Sequence, residues 1–214
     1  MKADYIYLGQ SILRYQVPLD IFHSINNIYE TNFHNLQPAN KQLVGKIKNE
    51  HSLFYGGDNE NKTHNQLPLH VINYFKDVYI SYLEFNKIKN YKIKLSSIWV
   101  NEMKQNEYNP VHIHNGNLST GLSSVMVLKL PETFGKEYSS EEYATNGSLE
   151  LLGSSSGQFA KINYSPELRL RDFYVFPYDL RHCVYPCNGT TDTRRTLAAN
   201  CDVHIEPIKK KDLL

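Results

Sequence analysis

The chain has 214 residues, 41% hydrophobic and 21% charged, with a formal net charge of +1. That length suffices for one domain whose core needs no disulfide or metal staple. Near-neutrality gives no electrostatic reason to expect nucleic acid, a membrane surface or an acidic partner, and the run Lys209-Lys210-Lys211 is short enough to be a solvated terminus.

No stretch is apolar enough over a sufficient length to span a bilayer, and the opening Met1-Lys2-Ala3-Asp4-Tyr5 lacks the apolar segment of a secretory signal. The cysteines, Cys183, Cys187 and Cys201, are odd in number. Reduced thiols and a cytoplasmic location are therefore expected. Asn-x-Ser/Thr triplets such as Asn146-Gly147-Ser148 are then incidental.

In chain order, a short strand is expected at Tyr5–Leu8. From Pro18 the apolar residues Ile21, Phe22, Ile25, Ile28 and Tyr29 recur at helical spacing, with Pro18 and Asp20 suited to a first turn. From Pro68 a fuller stripe follows: Val71, Ile72, Phe75, Val78, Tyr79, Tyr82 and Leu83. The polar run Gly56–Gln66 between them reads as a loop. After about Asn90 the period changes from 3.6 to 2. Strands are expected at Lys94–Met103, Ser123–Leu130, Ser148–Leu152, Gln158–Ile162, Phe173–Phe176 and Thr196–Val203. Helices followed by strands without interleaved helices predict an α+β fold, with helices packed outside a sandwich or barrel of antiparallel strands. Neither an internal repeat nor a domain-separating linker is visible. Residues 1–214 are expected to form a single domain, 1–90 as mainly helical support and 91–205 as the β core.

Three segments of the β half carry chemistry. In His112-Ile113-His114 the two imidazoles at i and i+2 would share one face of a strand and could reach one metal ion. With nine histidines in the chain, solvated strand histidines are the plainer explanation of the pair taken alone. In Phe176-Pro177-Tyr178-Asp179-Leu180-Arg181-His182, an apolar strand and a proline turn deliver a third imidazole, unless His182 merely closes the turn. In Arg194-Arg195-Thr196-Leu197-Ala198, Arg194 and Thr196 would share a strand face beside the small Ala198. A guanidinium fork beside a hydroxyl suits a carboxylate; a surface arginine pair on an edge strand is the plain alternative.

The combination of His-x-(acid or His), a distal His and Arg-x-Ser/Thr about a dozen residues later resembles the 2-oxoglutarate/Fe(II)-dependent oxygenase superfamily. Within it, most of the chain resembles small, prolyl-hydroxylase-like oxygenases encoded by tailed marine phages. The segments carrying this are NPVHIHNG from Asn109, FPYDLRHCVYP from Phe176 and RRTLAAN from Arg194, with weaker echoes in ANKQLVGKIKNE from Ala39 and WVNEM from Trp99. The resemblance implies a double-stranded β-helix (jelly-roll) core with N-terminal supporting helices, and for a phage-encoded chain a host cytoplasm. It implies Fe(II) held by His112 and His182, and 2-oxoglutarate held through its distal carboxylate by Arg194, assisted by Thr196, with Asn101 a further contact. O2 is the remaining co-substrate, and decarboxylation would be coupled to C–H oxidation.

The superfamily usually carries Asp or Glu two residues after the first His, where this chain has His114. The first reading is an all-imidazole site of His112, His114 and His182. Alternatively a carboxylate such as Glu102 or Glu150 completes it, or water does, with His114 behind. A neutral third ligand raises the net charge of a ferrous centre, and three imidazoles suit zinc as well as iron. A Cys-x3-Cys zinc site at Cys183 and Cys187 is disfavoured, since Cys183 points away from His182 on a strand and no second cysteine pair exists.

The leading expectation is a hydroxylase acting on a protein side chain, a nucleobase or a small metabolite. A second reading is a non-catalytic metal-binding jelly roll, structural or receptor-binding, in a virion. A third is a metal-dependent hydrolase or isomerase using the same histidines. The oligomeric state is not legible. The turn-rich segments Asn115–Gly121 and Pro131–Gly147 are the expected substrate contacts.

Overall fold

The apolar stripes read from the sequence become the inner faces of two helices. In chain order the elements are β1 (Leu13–Gln16), α1 (Leu19–Asn32), a 3-10 turn (Phe33–Asn35), β2 (Gln37–Pro38), β3 (Asn49–Tyr55), β4 (His64–Asn65) and α2 (Leu69–Phe85). The β half continues with β5 (Tyr91–Met103), β6 (Asn109–His112), β7 (Gly121–Lys129), β8 (Leu149–Leu152) and β9 (Asn163–Tyr164). It closes with β10 (Asp172–Pro177), β11 (Arg181–Val184) and β12 (Arg194–Ile205). The structure is a computed structural model that describes residues 9–40, 43–58, 62–135, 145–154, 157–158, 160–189 and 191–206; the strand expected at Tyr5–Leu8 lies outside them.

Proline precedes both helices, at Pro18 and Pro68, in an extended conformation, and helical geometry starts at the next residue. In α1 the buried residues are Ile21, Ile25 and Tyr29, four apart. In α2 all seven expected stripe residues are buried. Lys87, at φ 57°, ends α2; its N–H bonds to the Glu84 carbonyl and that of Ile88 to the Leu83 carbonyl. These paired bonds satisfy carbonyls the helix would otherwise leave open.

The strands form two antiparallel sheets. The larger follows the order β1-β10-β7-β12-β5-β3-β2, with β4 on β3; the smaller runs β6-β11-β8-β9. Alternation on the central strands divides the interior into two cores. Leu197, Ala199, Val100, Ile98, Met126, Phe173 and Val175 face the helices and pack with Ile25, Phe75 and Tyr79. Val125, Tyr174 and Phe176 face the other way, toward Leu149, Leu151 and Val184 of the smaller sheet. The order of layers is helices, large sheet, an apolar seam with a cavity, and small sheet.

The helical reading of residues 1–90 needs correction, because β1 to β4 fall there and join the large sheet. Asn49–Tyr55 carries no clean two-residue alternation. A bulge between Ser52 and Phe54 inserts Leu53, which turns into the helix-side core while Ser52 stays on the cavity side. The expected loop Gly56–Gln66 contains β4, paired with Phe54 and Tyr55. The strand expected at Gln158–Ile162 is displaced to Asn163–Tyr164, where pairing with Leu151 and Leu152 is available at the end of β8. Among the described residues no helix is long and apolar enough to cross a membrane.

Phe75 of α2 is fully buried, with its ring 5.5 Å from that of Phe173 on β10 at 85°. Phe75→Ala is expected to cost about 3–5 kcal/mol through lost burial and a residual cavity. Urea unfolding with the midpoint lowered at unchanged slope would show it; a loss under about 1 kcal/mol would mean that α2 is not anchored through this contact.

Candidate metal centre

His112 on β6 and His182 on β11 are direct cross-strand partners, so the register of the small sheet brings their rings to 4.2 Å between centroids. His114 lies two residues beyond, just past the end of β6, and its backbone N–H donates to the Tyr178 carbonyl at 2.9 Å. That bond ties the His112–His114 segment to the proline turn preceding His182. The His114 ring stacks on His182 at 17°, with the two Nε2 atoms 3.1 Å apart. One ligand atom from each of the three imidazoles lies within 4.8 Å of the others, and this is the one such histidine, cysteine or carboxylate group among the described residues.

Backbone carbonyls select the tautomers. His112 Nδ1 lies 2.7 Å from the Pro110 carbonyl and His182 Nδ1 2.9 Å from that of Leu180. With each Nδ1–H donated there, both Nε2 lone pairs turn inward. Burial keeps all three rings neutral: it depresses His112, holds His114 well below the usual range with help from its neighbours, and takes His182 down to about 4. One proton between the His114 and His182 Nε2 atoms makes their contact a hydrogen bond between neutral rings, and the same three rings form a group that could hold a metal ion.

The triad opens on a cavity of about 780 Å³ between the two sheets. Its floor is laid out in rows by strand register: Thr196, Asn101 and Glu50; then Ala198, Trp99 and Ser52; then Asn200, Ser97 and Tyr55. Arg194 lies one step deeper on the same face of β12 and is 2% exposed. Its Nε and Nη2 are buried without a hydrogen-bond partner, and among the described residues no carboxylate pairs with it. Burial lowers it to about 10, which still leaves it protonated at neutral pH. Arg195 points the opposite way, to Glu30, Glu102 and the face of Tyr29.

All six residues singled out from the sequence, His112, His114, His182, Arg194, Thr196 and Asn101, line this one cavity. The two alternative carboxylates do not. Glu102 accepts from Tyr29 Oη on the helix side at 2.9 Å. Glu150 accepts from Tyr185 Oη and Asn163 Nδ2, both at 2.6 Å. Cys183, Cys187 and Cys201 are buried and free, and none lines the cavity. Of the expected contact loops, Asn115, Gly116 and Asn117 reach it; the described residues of Pro131–Gly147 do not, and 136–144 lie outside the described residues.

Sequence reasoning missed three polar residues. Glu50 is 4% exposed and lines the cavity. Asn200 places Nδ2 3.4 Å from His114 Nδ1, and turning its amide would let its unpartnered Oδ1 accept an Nδ1–H instead. Asp202 accepts from Tyr178 Oη at 3.2 Å and from the Asn117 N–H at 3.1 Å, pinning the loop after His114 to β12. A Cβ at Gly116 would lie 2.0 Å from Asp202 Oδ1, so this close approach needs glycine. Asn200 and Asp202 continue the alternation of Arg194 and Thr196, and that signal could have found them.

The family model described as "Putative 2OG-Fe(II) oxygenase" matches residues 97–200. That family uses Fe(II), 2-oxoglutarate and O2. No curated protein matches the chain. Among solved structures, a prolyl-4-hydroxylase from Pseudomonas putida aligns with TM-score 0.54 and 12% identity over 93% of this chain and 94% of its own. The epimerase SnoN from nogalamycin biosynthesis, described as non-heme and alpha-ketoglutarate-dependent, aligns at 0.57 and 11% identity, covering 93% and 80%. A Trichoplax adhaerens prolyl hydroxylase, solved with a hypoxia inducible factor peptide, aligns at 0.53 and 15%, covering 91% and 83%. At these identities the likeness establishes a shared fold.

The depressed His182 has a consequence for stability. Unfolded histidine titrates near 6.5, so between about 6.5 and about 4 the unfolded chain binds more protons than the folded one. Folding free energy from this group is therefore complete above pH 6.5 and lost as pH falls toward 4. In chelator, wild type is expected to lose on the order of 3 kcal/mol more than His182→Phe between pH 7 and 4. Parallel urea-derived profiles for the two proteins would refute it.

Proposed function

We propose that this protein is a non-haem Fe(II)- and 2-oxoglutarate-dependent oxygenase that hydroxylates its substrate. The reading is carried by Arg194, a buried guanidinium with two unpartnered nitrogens on a residue that lines the same cavity as three neutral, converging imidazoles. An uncompensated buried charge costs several kcal/mol, which an anionic ligand offsets. A metal-binding jelly roll with a purely structural or receptor-binding role needs no such clamp beside its metal. The family match over 97–200 and the fold shared with prolyl hydroxylases support the oxygenase reading. In this reading residues 1–214 are one domain, and the two sheets are the halves of a double-stranded β-helix.

The donor set fits the cofactors. His112, His114 and His182 would hold the iron, and Arg194, with Thr196 and Asn101, the far carboxylate of 2-oxoglutarate. Bound there with O2, they supply the oxidising power that converts a substrate C–H bond to C–OH as 2-oxoglutarate becomes succinate and CO2.

The protein's part is orientation. The Pro110 and Leu180 carbonyls fix the His112 and His182 tautomers, and Asp202 with Tyr178 fixes the loop behind His114. Arg194 and Thr196 recognise the carboxylate by charge-assisted and neutral hydrogen bonds. Trp99 beside His114, at 6.0 Å between ring centroids, and Phe176 beside His182, at 4.8 Å, keep water off the imidazoles. The substrate is a protein side chain, a nucleobase or a small metabolite; one protein of the same fold was solved with a peptide.

Anaerobic protein reconstituted with Fe(II) should form succinate slowly from 2-oxoglutarate on exposure to O2, without any second substrate. Arg194→Ala should raise the 2-oxoglutarate requirement by about a hundredfold or more, as expected for removing one partner of a buried charge pair. Absence of both succinate and a 2-oxoglutarate-dependent visible band would defeat the proposal. The third ligand is tested separately: His112→Ala and His114→Ala should each lose iron, and full iron in the latter would remove His114 from the coordination shell.

A further inference from the structure

The hydrogen-bonding groups on the cavity wall divide into two sets. Arg194 and the Trp99 Nε1–H offer donors, which a dicarboxylate, bearing acceptors alone, can take up. Glu50 Oε1, Asn101 Oδ1, Asn109 Oδ1 and Asn200 Oδ1 form the second set: buried oxygens without a partner on residues lining the same cavity. Neither 2-oxoglutarate nor O2 carries a donor for them. The three amides can turn to present nitrogen, but an ionised Glu50 presents only acceptor oxygen in either orientation.

Glu50 is held in place from behind. Its Oε2 accepts from Asn40 Nδ2 at 3.2 Å, and that amide also bonds the Ile47 carbonyl at 2.7 Å and the Lys48 carbonyl at 3.1 Å. Oε1 is buried and without a partner on this cavity-lining residue, and among the described residues no cationic side chain is paired with it. Burial and the nearby Glu107 push its carboxyl up to about 7, the signature of a site lacking positive charge. Beside it, Leu43, Val44 and Ile47 supply an apolar wall, with Val44 half exposed at the rim.

We infer that the second substrate carries a cationic nitrogen, an ammonium or guanidinium, and that Glu50 receives it between β3 and the segment 43–47. An ammonium has three donors to set against the acceptor oxygens, and an aliphatic stem fits along Leu43, Val44 and Ile47. Calling this molecule a substrate rests on the oxygenase reading; the binding site rests on the cavity alone. A free amino acid and a basic side chain of a polypeptide present the same chemistry.

Trp99, the single tryptophan, lines the cavity, so its fluorescence reads occupancy without turnover. Full-length protein is titrated with L-lysine, L-arginine and their Nα-acetyl amides, against norleucine and citrulline counterparts, with and without Fe(II) and 2-oxoglutarate under argon. The cationic member of each pair is expected to bind at least about tenfold more tightly. Glu50→Gln, which keeps an oxygen for Asn40, should erase that preference, and Glu50→Asp should restore part of it. Equal binding of the isosteres to wild type, or a preference that survives in Glu50→Gln, would overturn the inference. Tighter binding of the free amino acids points to a small-molecule source, and of the capped forms to a protein side chain. Selective amine binding without succinate formation would keep this site and discard the oxygenase reading; succinate formation without selectivity would do the reverse.

Discussion

β12 runs for 12 residues between β5 and β7, paired along both edges, and its side chains alternate between two incompatible environments. Arg194, Thr196, Ala198 and Asn200 face the cavity, while Leu197 and Ala199 enter the core under the helices. A slip of one residue would carry Arg195 into the cavity and Arg194 into the helix-side core. Burial of that apolar set therefore fixes the register, and the register decides which arginine becomes the buried, unpaired cation. The bulge between Asn200 and Cys201, opposite Ser96, lets both Ser96 and Ser97 reach the cavity while pairing continues to Ile205.

The histidines show the same dependence in the smaller sheet. His112 faces His182 because β6 and β11 pair in one register, and His114 joins them because the Tyr178 carbonyl holds its backbone. Desolvation keeps the three rings neutral, so ligand lone pairs exist at neutral pH without protons being displaced. A site made of neutral imidazoles beside an arginine is electropositive once a metal enters. In the proposed reading, with all three imidazoles on the metal, that polarity would suit a dianionic co-substrate.

The strand half was legible because its chemistry sits on regular strands. His112 and His182 come from opposed strands, and Arg194 and Thr196 obey a two-residue period that survives folding. The stripe of α2 was legible for the corresponding helical reason, down to each buried residue. β3 was not. Its residues Asn49–Tyr55 show no alternation, since the bulge at Leu53 breaks the period and the cavity-facing positions are polar. Glu50 went unseen with it, because a glutamate in a polar segment carries no sign that it will be buried.

What the sequence by itself determined was the inventory and its local geometry: two amphipathic helices, a run of strands, a His-x-His pair, a distal histidine and an Arg-x-Thr on one strand face. These follow from side-chain period and residue type, which are properties of neighbouring positions. The tertiary structure alone decided which groups share a cavity and which are left without partners. It sent Glu102 to Tyr29 and Glu150 to Tyr185, brought Glu50 beside Asn101, and left the guanidinium of Arg194 unpaired. Such pairings depend on contacts between residues far apart in the chain, and burial sets their energy, so no local pattern encodes them.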